Sequence, residues 1–185
     1  MRFLSSILLK LMGWKLVGAL PDEKKYIIIV APHTSNWDMV IGLVARFSLG
    51  IKIRFLAKSQ IFRFPFVSLL NFIGAIPVDR SKSGHLVEQI TQLFKESPTM
   101  RLAITPEGTR RQVSRWKEGF YHMAFQANVP IVMIGFDYPS KEIRIAKPFK
   151  PSGDIVQDFA HILEFFRTIR GCYPKDLPDY MPRDS

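Results

Sequence analysis

Short apolar stretches that suit buried strands alternate with amphipathic stretches along this chain, and this alternation constrains the fold more than any other feature. Strands that alternate with helices are typical of α/β domains. We therefore expect one α/β domain with a mixed, largely parallel central sheet flanked by helices. The predicted strands are residues 26–31, 51–57, 100–104, 130–136 and 142–145, with a short strand at 73–80 that leads into a loop.

Apolar residues at helical spacing predict the helices between these strands. One such stretch ends near Leu49, and Gly50 is suited to its C-terminal cap. Further helices are predicted at residues 85–96, 117–128 and 154–170. We expect the strand at 142–145 to lie at an edge of the sheet and residues 174–185 to form a loose tail.

Residues 1–20 predict an amphipathic helix that precedes the main domain, residues 21–185. Its lysines leave no unbroken apolar stretch of the ~18–20 residues that a bilayer span needs. A signal peptide is a poor fit, since no small-residue cleavage site follows a clean apolar core. We expect an interfacial helix with Trp14 at the level of the lipid headgroups. The alternative is a helix packed on the protein's own core.

The charge balance favours anionic partners. The 185 residues carry a formal net charge of +10 and include one cysteine, Cys172. One cysteine excludes an intramolecular disulfide framework and a cysteine-based metal cluster. Paired histidines at helical spacing and acidic ligand clusters are also missing from the sequence, so we expect neither a metal site nor a cofactor. The basic residues are dispersed and match no nucleic-acid-binding motif, so an anionic lipid surface is the more suitable partner.

The sequence His-Thr-Ser-Asn-Trp-Asp, residues 33–38, lies where the strand at 26–31 gives way to a helix. Ligands and reactive groups of α/β proteins gather at such strand ends. His33 suits a general base, and Asp38 is placed to return across the turn and hold the imidazole tautomer. The alternative is a capping box with Ser35 as the N-cap, in which Asp38 only satisfies a backbone amide and His33 is a loop residue.

Further polar groups follow other predicted strands. Lys58, Arg80 and residues 107–110 each come at or after a strand end, as His33 does. The carboxyl ends of parallel strands meet at one edge of a sheet, so we expect these groups to form one basic pocket. Residues 62–72 add a dense aromatic stretch. Packing in the core is the common fate of such residues, and a surface for acyl chains or lipid is the alternative.

Four blocks of this sequence resemble the glycerolipid and lysophospholipid acyltransferases of the 1-acylglycerol-3-phosphate acyltransferase type. The first is His33–Asp38, which matches the family's His-x-x-x-x-Asp motif. Gly74–Arg80 is similar to the second block, Pro106–Arg110 matches the third, and Val129–Ile131 is similar to the fourth. The blocks stand in the family's order and lie within residues 26–137.

The resemblance implies an O-acyltransferase of phospholipid biosynthesis at the cytoplasmic face of a membrane. A fatty acyl group would pass from a thioester of acyl carrier protein or coenzyme A to a hydroxyl of a lysophospholipid or glycerol phosphate acceptor. His33 would be the general base and Asp38 its orienting carboxylate. The residues that the resemblance assigns to the acceptor are Lys58, Arg80, Glu107, Gly108, Thr109 and Arg110.

Each of these assignments has a simpler alternative. The alternative for Arg80 is an ion pair with Asp79 or another surface carboxylate. The alternative for Lys58 is a solvated side chain without a ligand. For Glu107 and Arg110 it is an ion pair that fixes their loop. Rival functions are an acyl thioesterase, a lipid-binding peripheral membrane protein without catalysis, and a nucleic-acid binder that rests on net charge alone.

Overall fold

Seven strands form one sheet in the computed structural model, which describes residues 2–78 and 85–180. Their order across the sheet is β1-β7-β6-β2-β5-β3-β4. The strands are β1 (Lys15–Val17), β2 (Lys25–Val30), β3 (Arg54–Lys58), β4 (Ala75–Val78), β5 (Met100–Ile104), β6 (Ile131–Asp137) and β7 (Glu142–Ile145). The helices are α1 (Arg2–Leu11), α2 (Trp37–Leu49), α3 (Val67–Phe72), α4 (Leu86–Glu96), α5 (Gly119–Ala127) and α6 (Ile155–Arg167).

The sheet is mixed and largely parallel, as the sequence predicts. Strands β2 to β6 run in one direction, and β7 pairs antiparallel with β6. The predicted edge position of β7 is wrong, because β1 pairs with its outer side. Strand β1 was not predicted, because three residues are too few to show strand periodicity.

Alternate residues of β2 bury against opposite faces of the sheet, which explains its unbroken apolar sequence. Ile27 and Ile29 pack into a core with residues of α4, α5 and α6. Tyr26 and Ile28 pack into a second core with residues of α1 and α2. Because helices cover both faces, β2 lies at the centre of the domain, and the loop that follows it opens at the middle of the sheet edge.

The N-terminal helix is present but shorter than predicted. It ends at Leu11, and Gly13 adopts a left-handed backbone (φ +76°) that turns the chain into β1. Trp14 is 6% exposed and packs against Phe136 and Tyr138, so its predicted position among lipid headgroups is wrong. One face of α1 nevertheless presents bare apolar side chains: Phe3, Leu4, Ile7, Leu8 and Leu11. Among the described residues, no helix has the length and apolar character that crossing a membrane requires.

Two further predictions about exposure are resolved by the structure. The aromatic stretch at 62–72 does not enter the core, since Phe64 is 95% exposed and Phe66, Leu69 and Phe72 are more than half exposed. The predicted loose tail is wrong as far as residue 180, because the side chain of Lys175 is only 3% exposed and Leu177 and Tyr180 pack against the core. The predicted cap at Gly50 is confirmed, with φ +69° and an amide that donates to Arg46 O and Phe47 O.

Candidate active site

The loops that leave the carboxyl ends of β2, β3 and β5 converge as predicted. His33, Lys58, Gly108, Thr109 and Arg110 line one cavity of about 1190 Å³. Arg80, the remaining predicted residue of this group, lies outside the described residues. The parallel arrangement of the three strands thus brings the first and third sequence blocks together, although 74 positions separate His33 from Glu107.

His33 and Asp38 form a hydrogen-bonded pair. The imidazole Nδ1 lies 2.8 Å from Asp38 Oδ2. Asp38 is in the first turn of α2 and is 3% exposed, whereas the His33 side chain is 17% exposed. An ionised carboxylate only accepts hydrogen bonds, so Nδ1 carries the hydrogen and Nε2 of the neutral ring keeps its lone pair. This is the tautomer that a general base requires.

Asp38 is held by donors on both of its oxygens. Oδ2 accepts from the amides of Thr34 and Ser35, both at 2.9 Å, and Oδ1 accepts from the hydroxyl of Tyr138 at 2.7 Å. Burial raises the pKa of Asp38, but the hydrogen bonds from His33, Tyr138 and the two amides outweigh burial and hold the pKa below its ordinary value. The carboxylate is therefore ionised at neutral pH.

The capping alternative and the catalytic interpretation are compatible. Asp38 returns to the amide of Ser35, as the capping box predicts. Ser35 Oγ, however, accepts from the amide of Trp37 at 3.1 Å and not from that of Asp38, and the N-cap of α2 is Asn36 in place of the predicted Ser35. The same carboxylate oxygen reaches His33 Nδ1. The contact with the Ser35 amide thus helps to fix the position of the carboxylate that orients the imidazole.

Tyr138 is a residue of the site that was not predicted from the sequence. It follows β6 directly, at the same sheet edge as the other loops, and its ring packs edge-on to Trp14 at 5.0 Å between centroids. Burial and the Asp38 carboxylate raise the pKa of Tyr138, so its hydroxyl remains a donor. The strand-end rule that identified His33 and Lys58 also applies to β6 and was the signal available in the sequence.

Glu107 lies beneath the cavity and does not line it. Its Oε2 accepts from the amide of His33 at 2.8 Å and lies 3.1 Å from Lys175 Nζ. The alternative in which Glu107 forms an ion pair with Arg110 is therefore wrong, since Lys175 takes that place. Burial raises the pKa of Glu107, and the contacts with His33 and Lys175 only partly offset it. Its Oε1 has no hydrogen-bond partner in the described part of the chain.

The lining of the cavity includes cations and apolar side chains. The cations Lys58, Arg110, Arg111 and Lys117 line it beside the third block. Gly108 has φ +66°, and a Cβ there would lie 3.1 Å from Lys117 Nζ, so glycine lets Lys117 approach this loop. Neither Lys117 nor Arg111 was among the site residues predicted from the sequence. The apolar lining comes from the sheet and its loops and from α2, α4 and α5, and includes Ile28, Val30, Leu43, Ile53, Leu86, Phe120, Ile134, Phe136 and Ile143.

Comparison with known proteins gives matches to a family model, to individual proteins and to a solved structure. A family model described as Acyltransferase matches residues 18–137. Among individual proteins, the probable 1-acyl-sn-glycerol-3-phosphate acyltransferase of Mycoplasma pneumoniae is 31% identical over 140 residues, which are 70% of this chain and 52% of that protein. The 1-acyl-sn-glycerol-3-phosphate acyltransferase of Haemophilus influenzae is 28% identical over 134 residues, 67% of this chain and 54% of that protein.

The chain thus spans about half the length of these relatives. Among solved structures, the fold is similar to that of the 1-acyl-sn-glycerophosphate acyltransferase PlsC from Thermotoga maritima, with a TM-score of 0.64 and 13% sequence identity. The likeness covers 90% of this chain and 75% of that one. At this identity the likeness supports the fold and leaves the chemistry to be argued from the site itself.

Proposed function

Because this chain belongs to the acyltransferase family, we propose that it transfers a fatty acyl group from an acyl thioester to a hydroxyl of a lysophospholipid or glycerol phosphate acceptor. The family resemblance drawn from the sequence blocks is confirmed by the family model. The proposed acyl donor is a thioester of acyl carrier protein or coenzyme A.

One observation carries the proposal: the His33–Asp38 pair lines a cavity whose wall includes both cations and apolar side chains. A phosphate-bearing acceptor with a free hydroxyl suits the cations. A fatty acyl chain suits the apolar side chains. A general base in the same cavity is placed for transfer from one substrate to the other.

The proposed step needs no protein nucleophile, because a thioester is already activated. His33 Nε2 takes the proton of the acceptor hydroxyl while that oxygen attacks the thioester carbonyl carbon. Asp38 stabilises the imidazolium that forms. The tetrahedral intermediate then breaks its carbon–sulfur bond, and the imidazolium returns the proton to the departing thiolate. The products are an ester and a free thiol.

We propose that cations around the third block hold the acceptor phosphate. Lys58 and Arg110 line the cavity with exposed side chains, and Lys117 reaches the loop at Gly108. Arginine suits bidentate contact with phosphate and lysine acts as a point charge. Arg80 and Thr109 are proposed for the same role from the family motif. That Glu107 holds an acceptor hydroxyl stays a prediction, since the described contacts of its carboxylate are with protein groups.

We also propose that the protein works at the surface of a membrane, on its cytoplasmic face. The bare apolar side of α1 and the exposed aromatic residues of 61–72 both flank α2, since α1 packs on α2 and Phe72 stacks on Phe47. Apolar side chains on a chain of net charge +10 suit an anionic lipid surface. Lysophospholipid acceptors reside in such a surface.

The test is an acyl-transfer assay on the purified protein in vesicles of anionic phospholipid. Palmitoyl-coenzyme A and palmitoyl-acyl carrier protein are offered with lysophosphatidate, glycerol 3-phosphate or other lysophospholipids, and thiol release and lipid product are followed together. We expect thiol release that depends on the acceptor and equals the ester formed. Equal thiol release with and without acceptor would establish a thioesterase instead. Vesicle binding without any thioester consumption would establish a lipid-binding protein.

A further inference from the structure

We propose that Lys175 and Glu107 are positioning residues, and that the segment 171–175 is a strap that holds His33 and the third-block loop in their working geometry. The inference rests on the proposed function, because it assigns a role toward the reaction of His33. The strap follows α6, and its last two residues, 174 and 175, belong to the segment that was predicted to be a loose tail.

The ammonium of Lys175 joins the two loops of the site. It lies 3.1 Å from Glu107 Oε2, 3.2 Å from the carbonyl oxygen of His33 and 3.3 Å from the carbonyl oxygen of Thr109. An ammonium has three N–H donors, and three oxygens of the protein surround this one. Lys175 therefore has no donor left for substrate and acts through its neighbours.

Glu107 completes the connection from the other side. Its Oε2 accepts from the amide of His33 at 2.8 Å and receives the Lys175 ammonium as well. Both polar groups of the His33 backbone, the amide and the carbonyl, thus contact one buried ion pair. Asp38 orients the imidazole, whereas the Glu107–Lys175 pair fixes the backbone that carries it.

The charges of this pair are almost wholly withdrawn from water. The Glu107 and Lys175 side chains are 1% and 3% exposed. Breaking a buried pair by removing one partner leaves the other charge uncompensated, which costs far more than losing an exposed pair. Because separating the two charges is so unfavourable, we expect the pair to keep the His33 turn and the third-block loop in one arrangement.

The rest of the strap is fitted closely to the His33 turn. The amide of Tyr173 donates to Thr34 Oγ1 at 3.4 Å. At Gly171 an added Cβ would lie 2.8 Å from Thr34 Oγ1 and 3.2 Å from Pro32, inside ordinary contact distance. Glycine is therefore required for this approach, and Gly171→Ala displaces the strap without touching either charge.

The experiment compares Lys175→Met, Glu107→Gln, the double variant and Gly171→Ala with the wild-type protein. We expect kcat per folded molecule to fall about 10- to 100-fold in each, because small displacements of a general base cost that much. KM for the acyl thioester stays within about twofold, since no cavity-lining residue changes. The double variant is no slower than the slower single variant, because both changes break one connection.

A control separates positioning from general loss of stability. Leu163→Ala removes a core side chain of α6 that is 4% exposed and belongs to no part of the site. We expect it to lower Tm and to leave kcat per folded molecule at the wild-type level when assayed well below Tm. If Lys175→Met and Gly171→Ala behave like Leu163→Ala, the strap is merely structural and the inference is overturned.

Amide hydrogen exchange at His33 provides a readout that does not depend on turnover. The His33 amide is protected in the wild-type protein because it donates to Glu107 Oε2. We expect faster exchange in Lys175→Met and Glu107→Gln and unchanged exchange in Leu163→Ala. If the His33 amide stays protected in both Lys175→Met and Glu107→Gln, the inference is overturned. If the wild-type protein shows no acyl transfer, only the proposed function is overturned, and the hydrogen-exchange result still tests the strap.

Discussion

Two buried carboxylates contact His33, and they do so at different atoms with different consequences. Asp38 meets the imidazole, and four hydrogen bonds shared by its two oxygens lower its pKa despite burial. Glu107 meets the backbone amide; its hydrogen bonds all fall on Oε2, and burial raises its pKa. The Asp38 carboxylate can therefore stabilise the positive charge that the His33 imidazole acquires during the proposed reaction. The Glu107 carboxylate pairs with the permanent positive charge of Lys175.

The two carboxylates thus have different roles toward the same histidine. A carboxylate that orients a general base must stay ionised while the base changes its charge, and abundant donors secure that state. A carboxylate that places the base needs one permanent partner, here Lys175. We therefore expect changes at Asp38 to act on the chemistry and changes at Glu107 to act on geometry.

Asp38→Asn is expected to have the largest effect among the changes that sharpen this comparison. An amide cannot accept from Nδ1 and both backbone amides as the carboxylate does, so the imidazole loses its tautomer and its charge partner. We expect kcat to fall about 10³- to 10⁴-fold with the fold retained, as for an orienting aspartate in a triad. The measurement is steady-state acyl transfer together with far-UV circular dichroism. A loss no greater than that of Glu107→Gln contradicts the division of roles.

Removing cavity cations tests whether substrate binding is separate from both carboxylates. We expect Lys58→Ala and Arg110→Ala each to raise KM for the phosphate-bearing acceptor about 10-fold, the value of one charge-assisted hydrogen bond, with little change in kcat. Lys95→Ala, an exposed lysine of α4, serves as the control and leaves KM unchanged. A fall in kcat at unchanged KM would mean that these cations act in the chemical step instead.

Tyr138→Phe removes one of the donors that distinguish Asp38 from Glu107. It deletes the hydroxyl that donates to Oδ1 and keeps the ring that packs on Trp14. We expect a loss of about 1 kcal/mol in the free energy of unfolding and about a 5-fold fall in kcat, since three contacts to Oδ2 remain. Chemical denaturation and acyl-transfer kinetics measure the two effects. An unchanged free energy of unfolding would show that the hydroxyl contributes nothing to holding Asp38.

The smallest expected effect is a difference in the pH dependence of stability. The lowered pKa of Asp38 gives a contribution that is present above its ordinary value of 3.8 and is lost as pH falls through the lowered value. The raised pKa of Glu107 does the opposite: its contribution is complete below 4.5 and is lost as pH rises through the raised value. Relative to wild type, Asp38→Asn should therefore reduce the loss of unfolding free energy as pH falls through the acidic range. Glu107→Gln should reduce the loss of unfolding free energy as pH rises above 4.5. Denaturation series across pH check both, and equal slopes in all three proteins would contradict the pKa directions.

The sequence was sufficient to predict the sheet and the first half of the site. Strand periodicity located six of the seven strands, and the strand-end rule brought His33, Lys58 and the third block to one edge. These predictions succeed because apolar alternation and parallel order are local or nearly local properties of a sequence. The three-residue strand β1 was not predicted, because it has no strand pattern of its own. It is a strand only because it pairs with β7.

The supporting residues of the site could not be predicted in the same way. Lys175 carries no motif, lies 68 positions after Glu107 and gains its role only when the chain returns from α6 to the His33 turn. A buried lysine is rare unless it is paired. The role of Lys175 is therefore recognised from its surroundings in the structure and not from the sequence. Tyr138 was within reach of the strand-end rule, but nothing in the sequence indicates that its hydroxyl meets Asp38.

The role of His33 as general base is tested by the rate of acceptor-dependent acyl transfer in His33→Ala. His161→Ala, a change to an exposed histidine of α6, is the matched control and should keep wild-type activity. We expect His33→Ala to lose at least about 10²-fold in kcat while it remains folded and bound to vesicles, because it lacks the general base. Transfer at the wild-type rate in His33→Ala would contradict the assignment of His33 and, with it, the interpretation of every residue placed around it.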